Sequence, residues 1–140
     1  MARKRRYQFA DTAQQIVGGF LLAGPFVVTE EVWMLASEMT GWHAIATAVL
    51  VAIIGYGALY QADDDRDPES EAEVAGLPLR FLSLLGVAFG SVALLALLLN
   101  APASFLSGTG TAGQVATTLK VISVGAIFSV VGAATADSVF

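Results

Sequence analysis

Apolar residues run along this chain in four long blocks, at 13–36, 42–60, 79–99 and 114–136. A helix that crosses a bilayer needs about 20 mostly apolar residues, and each block has that length. The expected fold class is therefore all-α: a polytopic membrane protein of four transmembrane helices, forming a single domain over 1–140. Polar residues gather between the blocks. The stretch 61–78, "QADDDRDPESEAEVAGLP", is densely acidic, whereas "SEMTG" and "NAPASFLSGTGTAG" contain no Lys or Arg.

Charge adds a direction. Arg3, Lys4, Arg5 and Arg6 precede the first block, and Arg66 and Arg80 flank the start of the third. By the positive-inside rule these six lie on the cytoplasmic side, which makes both termini and the acidic loop cytoplasmic. Trp33 and Trp42 flank the first external turn, and Tyr7, Tyr56 and Tyr60 lie toward the cytoplasmic face, as amphipathic rings do at headgroup level. The first block is too long for the apolar core of a cleavable signal peptide, and no small-residue cleavage site follows it.

Composition strengthens the membrane reading. The chain is 56% hydrophobic and 14% charged, with a mean hydropathy of +0.70. A soluble chain of 140 residues cannot bury that much apolar surface, because small domains leave much of their surface wet. With no Cys and one His, thiolate chemistry and a histidine-rich metal site are excluded. No Ser-His-Asp set, phosphate loop or aqueous cofactor domain is present, so neither an enzyme nor a cofactor is expected. The basic residues are too clustered at one end for nucleic-acid binding. A net charge of -5 with little Lys fits a salt-adapted organism.

The acidic loop invites a calcium reading. Asp63, Asp65 and Asp67 alternate like the start of an EF-hand. However, Pro68 stands at the sixth position, where Gly is needed, and Val74 at the twelfth, where Glu is needed. A solvated linker is the better reading.

Candidate chemistry concentrates in the first block. Glu30 and Glu31 interrupt "GPFVVTEEVWML". In a continuous helix ending near Ala36 they lie roughly 8–9 Å inside the outer half of the bilayer. Lys120, the sole cation within a block, lies at about the same depth in the fourth, roughly 9 Å in. Charges in hydrocarbon are costly and seek partners, so an intramembrane Glu/Lys site is expected, with one carboxylate meeting Lys120. The alternative leaves the acids wet at the outer surface and Lys120 snorkelling. Pro25 predicts a helix kink, with Thr29 just beyond it. Gly18, Gly19, Gly86, Gly90, Gly125 and Gly132 offer small faces for helix packing. His43, at the outer boundary, reads as an interfacial residue rather than a proton relay. Asp11 reads as an N-cap or first-turn acid of the first span. Asp137, at the inner boundary, reads as the partner of a local Arg or of water.

Gly18, Gly19, Pro25, Thr29, Glu31 and Trp33 together resemble the first span of an uncharacterised integral membrane family with bacterial and salt-loving archaeal members. The resemblance implies a cell-membrane location and no defined activity. It favours Glu31 over Glu30. Many members look about twice as long, so this four-span version is expected to complete itself by self-association. Two functions follow as expectations. One is a small homo-oligomeric ion channel or ion-translocating protein, passing inorganic ions or protons by way of Glu31, Glu30, Lys120 and His43. The other is a structural or accessory subunit in which the Glu-Lys pair serves assembly.

Overall fold

The computed structural model describes residues 9–61, 73–74 and 76–139. The basic N-terminal cluster and most of the acidic loop, including the calcium reading, lie outside the described residues. Among the described residues, six α-helices follow the four apolar blocks. They are α1 (Phe9–Val27), α2 (Glu30–Ser37), α3 (Gly41–Tyr56), α4 (Leu79–Leu98), α5 (Ala101–Phe105) and α6 (Thr111–Val139). A π-helical turn, Gly57–Gln61, prolongs α3. The strands β1 (Glu73–Val74) and β2 (Leu77–Pro78) pair antiparallel before α4, with Gly76 at φ +81°. That positive φ is open to Gly and strained for residues with a Cβ.

Three helices, α3 with its π turn, α4 and α6, are each long and apolar enough to cross a membrane, and α1 with α2 makes a fourth span if the bent pair counts as one. The protein is thus an all-α polytopic membrane protein. In the bundle α6 is central, packing against α1, α3 and α4. Of its most apolar stretch 61% is buried, against 33% for α4 and 17% for α3. Large apolar side chains cover the outside, among them Leu21, Ile45, Ile53, Leu97 and Leu119. Such a surface is stable in acyl chains and not in water.

Close backbone approach fixes the α1–α6 crossing. A Cβ on Gly18 would overlap the carbonyl oxygen of Gly132, and a Cβ on Gly132 would overlap that of Gly18. Beside them Ser129 Oγ donates to Gly19 O at 3.2 Å. Without a hydrophobic drive between helices in lipid, this kind of contact holds membrane helices together. Gly125 meets Val92 of α4, and Gly55 sits between Leu84 and Val130. Gly86 and Gly90 do not match their expected role. Both are exposed, and nothing lies within 4 Å of where a Cβ would be. They sit on the outward face of α4, so they pack no helix within this chain.

The first span differs from the expected single kinked helix. α1 runs through Pro25 to Val27, and the axis then turns by 79° into α2. Pro25 lacks an N–H, so the Leu21 carbonyl loses its helical donor and the last turn of α1 is weakened. Two side chains then satisfy carbonyls freed at the helix end. Thr29 Oγ1 donates to Phe26 O at 3.0 Å, and Trp33 Nε1 donates to Val27 O at 2.9 Å. Trp33 is buried and stacks on Phe105 of α5, ring centroids 5.7 Å apart. Glu30 and Glu31 therefore form the first turn of a new helix, where the dipole favours negative charge.

This break moves the acids. α1 is 19 residues long, or about 28 Å, close to the thickness of the hydrocarbon core. With α1 along the membrane normal, α2 lies near the membrane plane, and Glu30 and Glu31 reach the far boundary instead of sitting 8–9 Å inside it. Val32, Trp33 and Ala36 turn inward against Ala101, Leu106 and Val121, so the short helices α2 and α5 close that end of the bundle.

Gly132→Ala should lower thermal stability in detergent by about 1–3 kcal/mol, the usual range for forced overpacking. Gly86→Ala and Gly90→Ala should be neutral or stabilising by up to about 1 kcal/mol, since Gly inside a helix is unfavourable relative to Ala. Thermal unfolding of the three purified variants checks the contrast.

Candidate functional site

The most polar part of the interior lies at the opposite end from α2 and α5. There the first turn of α1, the first turn of α4 and the last turn of α6 come together. Asp11, Arg80 and Asp137 arrive from these three helices and are 3%, 0% and 0% exposed. Each is close to its helix terminus, which puts the cluster at a membrane boundary. Burying charge there costs less than at the bilayer midplane, where insertion scales give about 2.5–3.5 kcal/mol per ion.

Arg80 ties the three helices together. Its Nη1 donates to Asp137 Oδ1 at 2.8 Å and to Oδ2 at 3.0 Å. Its Nη2 forms an ion pair with Asp11 Oδ2 at 3.0 Å. The planar guanidinium can meet two carboxylates at once, which an ammonium on a flexible stem does less well. Neutral groups extend the network. Gln15 Nε2 donates to Asp137 Oδ2 at 3.0 Å, and Ser83 Oγ donates to Gln15 Oε1 at 2.7 Å. Thr12 Oγ1 lies 2.8 Å from Ser83 Oγ.

Local structure explains the convergence. Asp11 and Gln15 are four apart on α1, so they share one face. That face continues to Gly18, whose contact with Gly132 brings α1 against α6. On α4, Arg80 and Ser83 are three apart and point the same way. The β1–β2 ribbon ends at Pro78, the N-cap of α4, so Arg80 enters the bundle two residues after the chain turns. Beside the cluster, Tyr56 packs edge-on against Phe81 with centroids 5.4 Å apart, and Tyr60 is buried near it. The π turn carries Tyr60 inward, and its ring is buried among the helices at this end.

The expected Glu/Lys pair is absent. Glu30 and Glu31 are exposed on α2, and Lys120 is half-buried on α6. No ion pair joins them among the described residues. Counting from the level of Asp11 and Asp137, the end of α1 at Val27 and Lys120 are roughly 24 and 26 Å along their helices. From Val27 the turn into α2 carries the acids over the end of the bundle. His43, also exposed, is in the first turn of α3, where its Nδ1 accepts from the Thr40 N–H, and Thr29 is committed to Phe26 O. Among the described residues, no hydrogen bond or ion pair joins the side chains of Glu30, Glu31, Lys120, His43 and Thr29 to one another.

Asp137 takes an arginine as its partner, and Asp11 is a first-turn acid. Arg80 was overlooked as a site residue because, one residue into its span, it reads as an ordinary flanking cation. A usable signal was present: Asp11–Gln15–Gly18 on one helix and Ser129–Ala133–Asp137 on another put polar and small residues on stripes.

A family model described as "Putative integral membrane protein (DUF2391)" matches residues 1–137. The chain belongs to that family. No curated protein and no solved structure gives a match. The DUF2391 assignment agrees with the apolar helices: this is a multi-pass membrane protein. In this DUF2391 chain the charged centre lies at one end of the bundle and draws on three of its helices.

Asp137→Asn removes the carboxylate charge from which Arg80 Nη1 gains both of its contacts, and leaves Arg80 buried with Asp11 as its remaining counter-charge among the described contacts. Breaking one side of a buried pair typically costs about 3–5 kcal/mol. Unfolding in detergent should show a loss of that order for Asp137→Asn and a smaller one for Asp11→Asn, which meets a single guanidinium nitrogen among the described contacts.

Proposed function

We propose that this DUF2391 chain is a structural or accessory membrane subunit without enzymatic or transport activity of its own. One observation carries the reading. The fully buried charges are consumed in a clasp at a membrane boundary, with carboxylates, guanidinium, amide and hydroxyl in mutual contact. Polar groups that already satisfy one another hold helices in register and offer little to a passing ion.

On this reading the charges at the other end serve contacts between chains. Glu31 and Lys120 have opposite sign and form no ion pair with each other, so copies placed side by side can join them. The earlier assembly role of the Glu-Lys pair is thereby shifted from within a chain to between chains.

A second reading, ion translocation by a homo-oligomer, has one observation in its favour: Glu30 and Glu31 are exposed on a helix that begins at a bend. An axis formed by several copies would bring these carboxylates to water.

Two measurements separate the readings. Under the structural reading, Glu31→Lys and Lys120→Glu each reduce oligomer size in mild detergent, and the double swap restores it. Proteoliposomes then show no proton or monovalent-cation flux above empty liposomes. Flux above that background that falls at least tenfold in Glu31→Gln would establish translocation instead.

A further inference from the structure

The first half of α3 stands apart from the bundle. The buried residues of α3 are Val51 and Gly55, and from Gly41 to Leu50 no residue is buried. Thr40 caps the helix: its Oγ1 accepts from the His43 backbone N–H at 3.3 Å, and its own N–H donates to His43 Nδ1 at 3.0 Å. A groove of about 510 Å³ is left between the end of α2, this half of α3 and α6. Met39, Ala46, Val124 and Ile127 give it apolar walls, and Glu38 and His43 stand among them.

Lys120 adds a cation to this edge. Lys120, Val124 and Ile127 recur at i, i+4 and i+7, so the three share one face of α6. Lys120 therefore stands on the face that lines the groove, one turn nearer Thr111. It lies roughly 26 Å from the level of Asp137, so about 4 Å short of the opposite boundary of a hydrocarbon core about 30 Å thick. From that depth a Lys stem carries its ammonium to headgroup level. Trp42, 75% exposed at the start of α3, suits the same level. Among the described residues the Lys120 ammonium has no hydrogen bond or ion pair, and neither has the Glu38 carboxylate.

We propose that the groove holds a membrane phospholipid whose headgroup is zwitterionic and carries a primary ammonium. An acyl chain covers the apolar walls, which water does not wet. At the boundary the lipid phosphate meets the Lys120 ammonium, and the lipid ammonium meets Glu38. With Nδ1 taken by the Thr40 N–H, Nε2 is the ring nitrogen that His43 has left to donate to a phosphate oxygen.

Charge selects this headgroup. Lys120 alone would favour any phosphate. Glu38 on the same groove opposes a lipid of net negative charge and favours one that carries its own cation. The site does not rest on the assembly proposed above. An ammonium has three donors, so Lys120 can meet a phosphate and a carboxylate of another copy together.

Native mass spectrometry of the whole protein in mild detergent, titrated with lipids of identical acyl chains, tests the site. Phosphatidylethanolamine should bind each chain about fivefold more tightly than phosphatidylglycerol, the effect of a single headgroup charge. Lys120→Gln should weaken both lipids about fivefold, and Lys120→Arg, which keeps the cation, should not. Glu38→Gln should erase the preference between the two lipids. Ala46 is exposed, so Ala46→Trp fills the groove without entering the core and should abolish the tight site. Equal binding of the two lipids by the wild type, or a preference that survives Glu38→Gln, would overturn the proposal. So would a tight site that persists in Ala46→Trp, or lipid-free oligomers that dissociate in that variant, the mark of a groove closed by a second copy. The same spectra report oligomer size in Lys120→Gln and Lys120→Arg, so failure of the lipid site is distinguishable from failure of the assembly reading.

Discussion

A guanidinium with no exposed surface must touch its counter-charges, and that constraint sets the arrangement of this bundle. Arg80 reaches Asp137 through two contacts of 2.8 and 3.0 Å and Asp11 through one of 3.0 Å. For all three to meet, α1 and α4 must start at the end where α6 stops, so α1 and α4 run parallel and α6 opposes them. The register follows as well. Seven residues along from Asp11 is Gly18, and five back from Asp137 is Gly132; these two glycines touch. A one-residue slip would part the charges and drive a side chain into the backbone contact. Buried ion pairs are weak evidence for net stability and better understood as specifying one arrangement among several. Here the specification is geometric, since ionic and steric constraints select the same register.

The first span shows how a short polar string can end a helix inside apolar sequence. Pro25 weakens the last turn, Thr29 closes Phe26 O and Trp33 closes Val27 O. Glu30 and Glu31 then supply negative charge where a new helix begins. The Thr-x-Glu-x-Trp string is thus a breakpoint, and each of its side chains has a local task. No partner across the membrane is needed to explain two acids side by side.

The apolar blocks made the helices and the membrane setting legible, because length and hydropathy are properties of continuous sequence. The break after Val27 was not legible, since it depends on Trp33 folding back to a carbonyl six residues earlier. Arg80 was misread for a related reason: a cation at a span boundary is normally solvated, and burial becomes visible only when two acids from distant sequence surround it. Gly86 and Gly90 carry the same small-residue spacing as useful packing glycines. Spacing alone cannot tell which side of a helix meets a neighbour, and α4 turns them outward.

The two ends of the bundle are held by different means, and this bears on where change can occur. At the Arg80 end, charge, amide, hydroxyl and aromatic contacts join α1, α3, α4, α6 and the π turn with Tyr60. At the other end, α2 and α5 cover the core through Trp33 and Phe105, while the start of α3 depends on one turn of hydrogen bonds. Buried ionic networks resist partial opening, because separating one member leaves a charge in low dielectric. An exposed cap can open and close at a cost of about 1 kcal/mol. The end that carries Glu30, Glu31 and His43 is therefore the more weakly held of the two, and the Arg80 end the more firmly tied.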